Sequence, residues 1–422
     1  MEVSIVAIGD ELLIGQVTDT NSGSLARIMA PAGWKVAVVE VCGDNGDEIR
    51  SAIDRAFHRS NVVLTTGGLG PTKDDITKQV LMEIFGGEPV ENSEVLENVR
   101  KIMSRRGLGM NELTAAQAIV PSSCEVIQNR LGTAPLMWFE RNGKVLVAMP
   151  GVPFETVGMF TDKVFPKLQK RFPSNEVIEH RTFITTGISE SALAEKLASL
   201  EKSLSENLHL AYLPNASYIR LRLDAKGVDK KTVNKDADAA CDRIRTIAGE
   251  YIVADEDITP AELLLKEANR FDATIATAES CTGGNIAGAI TAIPGSSKSM
   301  LGGVVSYSNS VKINVLGVNS ELIDRKGAVC REVAEQMATG VCRLTGANIG
   351  ISTSGIAGPG GGSAEKPVGT VCIAIAVENN CESVTMHFAG NRQRIIERAV
   401  NHAILMAVKM LRHEKIAEIS KK

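Results

Sequence analysis

The chain alternates between short apolar runs and longer stretches with helical periodicity. In the first part, apolar runs at residues 3–8, 36–41, 62–65 and 145–148 are separated by helical patterns, which begin near Asp19 and Asp47. Runs that are apolar throughout suit strands covered on both faces, as in a parallel sheet. This rhythm predicts a doubly wound α/β domain at residues 1–171.

Two more segments follow with their own patterns. A strand-like run at 180–186, a helical pattern to about 200, two short strands and a charged helix at 231–248 predict a small α/β domain at residues 175–250. Residues 257–422 open with a capped helix at Thr259 and Pro260. Apolar runs at 273–276, 303–307, 349–353, 369–377 and 383–388 then predict a third α/β domain.

Composition narrows the function classes. A chain of 422 residues fits about three domains. The net charge of −4 lacks the electrostatic footprint of a nucleic-acid-binding protein. Eight scattered cysteines without a CxxC pair argue against a metal finger or a disulfide framework and fit reduced thiols in a cytosol. We see no signal peptide and no apolar run near ~18 residues, so we expect a cytoplasmic protein without a membrane span.

The stretch at residues 277–284 is the main candidate for chemistry in the third domain. Its sequence, Thr-Ala-Glu-Ser-Cys-Thr-Gly-Gly, follows an apolar run and precedes a helical pattern from Asn285. A strand, a sharp turn and a helix start bring free backbone N–H groups together. The turn could hold a nucleophile beside an oxyanion hole or bind a phosphate, and both interpretations stay open.

The choice of base is constrained by the histidines. None of the six lies in a glycine-rich turn, so a Ser-His-Asp triad does not fit. The thiol of Cys281 also lacks a histidine partner, and a small buried cysteine is the simpler interpretation. Lys312, five residues after Tyr307, could serve Ser280 as a base if burial lowers its pKa. Taken alone it is a solvated surface lysine.

A glycine-rich loop in the first domain offers a second candidate site. Residues 66–77 read Thr-Gly-Gly-Leu-Gly-Pro-Thr-Lys-Asp-Asp-Ile-Thr after the third strand. Its glycines let backbone amides approach a phosphate, and the carboxylates of Asp74 and Asp75 could hold a divalent cation. The alternative is a turn in which Asp74 or Asp75 caps the next helix. A second glycine loop, with Gly132 and Thr133, follows later.

Motifs in the first domain resemble those of a known family. Gly9-Asp10-Glu11, Asp19-Thr20-Asn21, the 67–77 loop, Gly132-Thr133-Ala134-Pro135 and Pro150-Gly151-Val152-Pro153 resemble the molybdopterin-binding fold, and most closely the N-terminal domain of CinA-type proteins. The resemblance implies an ADP-ribose pyrophosphatase that needs Mg²⁺, Mn²⁺ or Co²⁺. It implies metal ligation by Asp74 and Asp75 and phosphate binding by Gly67, Gly68, Gly70, Gly132 and Thr133.

The middle segment resembles the KH-like domain of full-length CinA proteins in the order of its elements. The GxxG clamp that KH domains place on a nucleic-acid backbone is absent from it. We therefore expect no direct nucleic-acid binding and assign the segment a spacer or dimerisation role.

The third domain resembles the CinA C-terminal domain and, through it, the nicotinamide mononucleotide deamidases. Five motifs carry this resemblance: residues 278–284, Tyr307-Ser308-Asn309 with Lys312, 354–362, 366–370 and Gly390-Asn391-Arg392, where many relatives carry Asp in place of Asn391. It implies Ser280 as nucleophile, Lys312 as base and Tyr307 as an orienting or relay residue. It further implies oxyanion or substrate binding by Thr282, Gly283, Gly284, Thr353, Ser354, Gly355, Gly358 and Arg392, with no cofactor.

Together these observations predict a cytoplasmic hydrolase of pyridine-nucleotide salvage with two activities. Its small-molecule substrates would be nicotinamide mononucleotide and ADP-ribose, and a homodimer is the default assembly. Two alternatives stay open. The chain could be a nucleotide-binding regulator of competence or the DNA-damage response without essential turnover, or its first domain could bind a pterin-related nucleotide.

Overall fold

The computed structural model describes residues 1–72, 75–173, 176–215, 217–378 and 380–420, with side chains up to 414. The fold is mixed α/β, as the hydrophobic pattern predicts, and this fold class is confirmed. Contacts divide the chain into two compact units, residues 1–180 with 224–238, and residues 181–223 with 239–422.

The elements up to residue 171 alternate strands with helices at first, and four consecutive strands follow before the last two helices. The strands are β1 Glu2–Ile8, β2 Lys35–Cys42, β3 Val62–Thr66, β4 Pro89–Glu91, β5 Ile119–Pro121, β6 Glu125–Ile127, β7 Leu136–Arg141 and β8 Lys144–Met149. The helices are α1 Asp10–Leu13, α2 Asn21–Met29, α3 Gly46–Arg59, α4 Thr77–Phe85, α5 Ser93–Arg105, α6 Glu112–Ala115, α7 Pro153–Met159 and α8 Phe165–Arg171.

The remaining elements complete the chain. The middle segment has β9 Val177–Thr185, α9 Glu190–Glu201, β10 Leu208–Pro214, β11 Ile219–Gly227, α10 Lys230–Ala248 and β12 Ile252–Ala254. After it come α11 Pro260–Arg270, β13 Ile275–Glu279, α12 Asn285–Thr291, β14 Met300–Val305, α13 Asn309–Leu316, α14 Ser320–Lys326, α15 Arg331–Thr345, β15 Ile349–Gly355, β16 Thr370–Val377, β17 Asn380–His387 and α16 Arg392–Ser420.

The N-terminal sheet has a switch point that creates a crevice. Its strand order is β2-β1-β3-β8-β7-β6, with parallel pairs from β2 to β8 and antiparallel pairs from β8 to β6. From Val3 onward β1 is buried, as is all of β3, because helices cover both faces. Since β2 and β3 lie on opposite sides of β1, ligands are expected beyond the carboxyl ends of β1 and β3.

The C-terminal sheet repeats this arrangement with other residues. Its order is β14-β13-β15-β16-β17, in which β13 pairs in parallel with both β14 and β15. The switch point therefore lies at the end of β13, directly before Ser280. The predicted strand at 303–307 was placed too late: β14 ends at Val305, and the chain then enters α13, where the Ser308 side chain accepts a hydrogen bond from the Val311 N–H.

The middle strands form a four-stranded sheet in the order β10-β11-β9-β12. Strand β11 alternates buried and more exposed residues, so one face of it packs and the other meets solvent.

Candidate active sites

Ser280 lies at the C-terminal edge of the second sheet, directly after β13. Its N–H donates to the Thr353 carbonyl at 2.9 Å, which ties it to the neighbouring strand β15. The residue is buried, and it borders a cavity of about 280 Å³. Its hydroxyl is therefore held in place by backbone on a rigid sheet edge.

Lys312 reaches Ser280 from the first turn of α13. Its Nζ lies 3.2 Å from Ser280 Oγ and donates to the Ser306 carbonyl at 2.6 Å and, more weakly, to the Tyr307 carbonyl at 3.4 Å. The side chain is 1% exposed, and this burial lowers the pKa of its ammonium from the usual 10.5. A neutral amine could donate to both carbonyls and accept from the Ser280 hydroxyl.

Glu279 is a residue whose role the sequence analysis missed. It is fully buried, and its carboxylate accepts hydrogen bonds from the Thr282 hydroxyl at 2.7 Å and from the N–H groups of Gly284, Ile286 and Ala287 at 3.0, 3.0 and 2.8 Å. A negative charge thus occupies the N-terminus of α12, where the helix dipole favours it. The signal was present in the sequence as a lone carboxylate at the end of an apolar strand.

This arrangement changes the oxyanion assignment. The Gly284 N–H is engaged by Glu279, and the Gly283 N–H donates to the Ser280 carbonyl at 3.1 Å. Neither predicted glycine donor is therefore directed at the cavity. Within the described part of the chain, neither the Cys281 N–H nor the Thr282 N–H donates to another residue. They are the donors that remain on this turn for a developing oxyanion.

Tyr307 and Arg392 meet at the side of the cavity. Arg392, the first residue of α16, donates to the Gly358 carbonyl at 2.7 Å and to the Tyr307 hydroxyl at 3.2 Å. The Tyr307 hydroxyl thus contacts Arg392, whereas its backbone carbonyl contacts Lys312. Among the described residues Arg392 has no carboxylate partner, so its charge is free for an anionic ligand.

The residues that end β15 form a wall of the site. The Thr353 hydroxyl hydrogen-bonds the Thr282 hydroxyl at 2.7 Å, and the Ser354 hydroxyl donates to the Ala328 carbonyl at 2.7 Å. Gly355 packs against β16, where a Cβ would lie 2.7 Å from the Thr370 carbonyl oxygen. These side chains brace the site, while the backbone from Ser354 to Gly358 lines the cavity.

The other nucleophile and base candidates fit poorly. Burial raises the pKa of the Cys281 thiol to about 12, so the thiolate form is disfavoured at neutral pH. No histidine is among the described residues that line this cavity. This agrees with the sequence-based exclusion of a histidine triad.

The N-terminal cavity lies at the other switch point and has a volume of about 540 Å³. It is lined by the residues that follow β1, β3 and β8, including Gly9, Gly67 and Gly151. Gly67 has φ of 106°, and a Cβ there would lie 2.1 Å from the Ile8 carbonyl oxygen, so only glycine fits. Gly68, Gly70 and Thr133 also line this cavity.

Several amides of the glycine loops already have acceptors. The Gly67 N–H donates to Met149, the Gly70 N–H to Asp75 and the Gly132 N–H to the Asn129 side chain. Within the described residues, the N–H groups of Gly68, Leu69 and Thr133 have none, which leaves them for a phosphate.

Asp75 braces the glycine loop. Its carboxylate accepts from the Gly70 N–H at 2.7 Å, from the Thr72 N–H at 2.9 Å and from the Thr72 hydroxyl. The helix-capping alternative is wrong for this residue, because α4 begins after Ile76 without a side-chain cap. Asp74 lies outside the described residues.

Four carboxylates and one cation line the described part of this cavity. Glu11, Asp44, Asp75 and Glu155 are the acids, and Arg106, at the end of α5, is the base. Burial raises the pKa of Asp44, and the nearby charges of Asp10, Glu11 and Asp75 add to this shift. Within the described residues, no three acidic, histidine or cysteine side chains are grouped as metal ligands. The sequence analysis assigned no role to Asp44, Arg106 or Glu155.

One finding bears on the membrane. Across the described ranges no helix combines the length and the apolar character that a membrane span requires.

Comparisons with known proteins cover nearly the whole chain. A model of the CinA C-terminal domain matches residues 258–411, a model described as "Probable molybdopterin binding domain" matches residues 4–170, and a model of the damage-inducible protein CinA KH domain matches residues 180–254. The chain is 42% identical to the CinA-like protein of Gemmatimonas aurantiaca over 407 residues, 96% of this chain and 95% of that one.

Two further proteins are similar to this chain over different lengths. The CinA-like protein of Cytophaga hutchinsonii is 42% identical over 408 residues, 96% of both chains. Among solved structures, the competence/damage inducible protein CihA from Agrobacterium tumefaciens is 42% identical, with a TM-score of 0.35 and coverage of 36% of this chain and 93% of that one.

Proposed function

This chain belongs to the CinA family, and we propose that its C-terminal cavity hydrolyses the carboxamide of nicotinamide mononucleotide to give nicotinate mononucleotide and ammonia. The observation that supports this most is the contact of 3.2 Å between the buried Lys312 amine and the Ser280 hydroxyl. A serine with a desolvated lysine as base is an arrangement suited to acyl transfer.

The reaction follows from the contacts of these two residues. Ser280 Oγ forms a bond to the carboxamide carbon while neutral Lys312 takes the hydroxyl proton. The N–H groups of Cys281 and Thr282 stabilise the oxyanion. The C–N bond then breaks, and the proton on Lys312 leaves with ammonia. Water hydrolyses the acyl ester with Lys312 again as base, which releases the carboxylate and restores Ser280.

Substrate binding is proposed for the opposite side of the cavity. Arg392 carries a charge that no described carboxylate neutralises, and the backbone after Ser354 lies beside it. A planar guanidinium forms paired hydrogen bonds to a phosphate. We assign Arg392 and the segment up to Gly358 to the ribose phosphate. Tyr307 then orients both Lys312, through its carbonyl, and Arg392, through its hydroxyl.

The test is ammonia release from nicotinamide mononucleotide by the purified full chain. We expect Ser280→Ala to lower kcat/KM by at least about a thousandfold, because the nucleophile is lost. Ser310→Ala is the matched control, since Ser310 is an exposed serine two residues before Lys312 on α13. Undiminished ammonia release by Ser280→Ala contradicts the nucleophile assignment. If neither the wild type nor the variant releases ammonia, the assignment of nicotinamide mononucleotide as the substrate is contradicted.

For the N-terminal unit we propose a second activity, hydrolysis of the ADP-ribose pyrophosphate. The supporting observation is the cavity of about 540 Å³ at a switch point of the sheet, lined by glycine loops in which several amides have no acceptor among the described residues. This volume fits a nucleotide-sized ligand. The family model that matches this unit is described as a probable molybdopterin binding domain, so the alternative of a pterin-related ligand stays open.

A divalent cation is part of this proposal. Four carboxylates face one arginine among the described lining residues, so an anionic pyrophosphate needs more positive charge than this cavity supplies. Glu11 and Asp44 fit as ligands. Asp75 fits less well, because it already accepts hydrogen bonds from Gly70 and Thr72. Mg²⁺ often binds through one or two carboxylates together with substrate phosphates. Such an ion would neutralise the phosphates and lower the pKa of a bound water.

AMP formation from ADP-ribose, followed with added Mg²⁺, Mn²⁺ or Co²⁺ and with EDTA, tests this activity. We expect product with metal and none with EDTA. Equal rates in both conditions contradict the role of the metal. Tight ADP-ribose binding without AMP contradicts turnover and favours the alternative of a nucleotide-binding regulator.

A further inference from the structure

Asn21 has a buried polar atom without a partner. It is the first residue of α2 and its side chain is only 6% exposed. The Nδ2 group donates to the Gly151 carbonyl at 2.8 Å, whereas Oδ1 has no hydrogen-bond partner in the described part of the chain. A buried acceptor without a partner loses its hydration, and such groups in folded proteins usually have a partner.

Asn21 belongs to the lining of a recess beside the large N-terminal cavity. The recess has a volume of about 80 Å³, and Asn21, Asp19 and Thr66 line it. Glu11 and Gly151 line both spaces, so the two are neighbours. Thr66, in the recess, directly precedes Gly67, which lines the large cavity. A group attached to a phosphate at the glycine loop would therefore reach the recess.

The polar atoms of the recess select the chemistry of that group. Asn21 Oδ1 and the ionised carboxylates of Glu11 and Asp19 accept hydrogen bonds, whereas the threonine hydroxyls of the recess both donate and accept. The two carboxylates would repel a second phosphate, whereas a sugar hydroxyl can donate to Asn21 Oδ1 and is small enough for this volume. The recess thus suits a hydroxylated pentose rather than an anion.

We propose that this recess is a sugar subsite, in which Asn21 Oδ1 accepts a hydrogen bond from a hydroxyl of the pentose that carries the bound phosphate. The inference deepens the proposed ADP-ribose activity, because it identifies the residue that recognises a ribose next to the pyrophosphate. It requires binding only, so it can be tested without turnover.

The first experiment compares three ligands by calorimetry in Mg²⁺ on the full chain carrying Arg392→Ala, which removes the ribose-phosphate contact proposed for the C-terminal cavity: ribose 5-phosphate and its 2-deoxy and 3-deoxy analogues. We expect one analogue to bind about tenfold more weakly than ribose 5-phosphate, which corresponds to about 1.4 kcal/mol. Equal binding of all three ligands, or no binding of ribose 5-phosphate at millimolar concentration, overturns the proposal.

The second experiment uses a pair of variants with a shared defect. Asn21→Leu and Asn21→Asp both lose the hydrogen bond to the Gly151 carbonyl, but only Asn21→Asp keeps an acceptor oxygen. The discrimination between ribose 5-phosphate and the weaker analogue should disappear in Asn21→Leu and persist in Asn21→Asp. For each variant we compare the ratio of the two dissociation constants, that of the weaker analogue and that of ribose 5-phosphate. A general loss of stability or affinity affects both constants and cancels in this ratio. Discrimination that survives in Asn21→Leu overturns the proposal.

The sugar subsite and the proposed pyrophosphatase fail in different ways. If hydroxyl discrimination is found but ADP-ribose gives no AMP, the turnover proposal fails and the subsite stands. If AMP forms but the deoxy analogues bind like ribose 5-phosphate, the subsite fails and the activity stands.

Discussion

Replacement of Glu279 by glutamine tests how the turn around Ser280 is held. The carboxylate accepts four hydrogen bonds, three of them on Oε2 and the one from Ala287 on Oε1. The side-chain oxygen of glutamine can accept the three hydrogen bonds that Oε2 accepts in the wild type. The NH₂ group of glutamine then takes the place of Oε1, so two donors, this NH₂ group and the Ala287 N–H, face each other. Since this removes an acceptor from a half-buried N–H, it should cost about 1 kcal/mol, the lower end of the 1–3 kcal/mol that a fully buried group loses.

The lost charge adds to this cost. A carboxylate at a partly buried helix N-terminus contributes about 0.3–2 kcal/mol, and glutamine removes it. Glutamine also avoids the desolvation of a buried charge, which offsets part of the loss. We therefore expect Glu279→Gln to destabilise the turn and the start of α12 by about 2 kcal/mol, or roughly 30-fold in an opening equilibrium.

Native-state hydrogen exchange measures the free energy of opening at individual amides of the turn and of α12. A local measurement is needed because the chain has two compact units, so its global unfolding need not be two-state. The amides of Ile286 and Ala287 should lose about 30-fold in protection. Glu321→Gln is the control, because Glu321 is an exposed carboxylate in the first turn of α14. Unchanged protection of the α12 amides in Glu279→Gln would refute the reasoning.

Three further predictions concern the cavities. The deamidase rate should rise with pH to a plateau at a pKa below 10.5, because burial lowers the pKa of Lys312 and only its neutral form accepts a proton. Lys312→Met should abolish the rate and stabilise the fold more at pH 7 than at pH 10, because the unfolded wild-type chain gains stability by protonating this lysine as the pH falls below 10.5, whereas burial opposes protonation in the folded state. Cys281→Ala should keep the rate within about threefold, since a thiol with a raised pKa is not the nucleophile, and a complete loss would reopen that assignment. Arg106→Ala should raise the KM for ADP-ribose about tenfold while Arg105→Ala, next to it but outside the cavity lining, leaves it unchanged, and equal effects would exclude a specific contact.

The sequence predicts the strands that carry the sites because burial on both faces imposes a local pattern. Strands β1, β3 and β13 are apolar along most of their length, and glycine or a small polar residue marks where each ends. The parallel pairing then brings Ser280 beside the end of β15. These features depend on neighbours in sequence and on the general rules of α/β sheets.

The fate of individual side chains could not be predicted in this way. Lys312 has the sequence context of a surface lysine and becomes 1% exposed because α13 packs its first turn against the end of β13. Asp75 has the pattern of a helix cap or a metal ligand, yet it closes its own loop through Gly70 and Thr72. Such outcomes depend on which donors the fold brings within 3 Å, and no local pattern encodes that.

The turn at residues 277–284 shows most clearly which features the sequence determines and which features the tertiary structure decides. By itself the sequence determined a strand, a sharp turn and a helix start with a hydroxyl at the corner, because hydrophobicity and glycine content act locally. Only the tertiary structure decided that Glu279 takes the helix N-terminus and that Lys312 reaches Ser280 from 32 residues away. The reason is physical: the pKa of a lysine is lowered, and a backbone N–H loses its freedom to bind a ligand, only through groups that folding places around them.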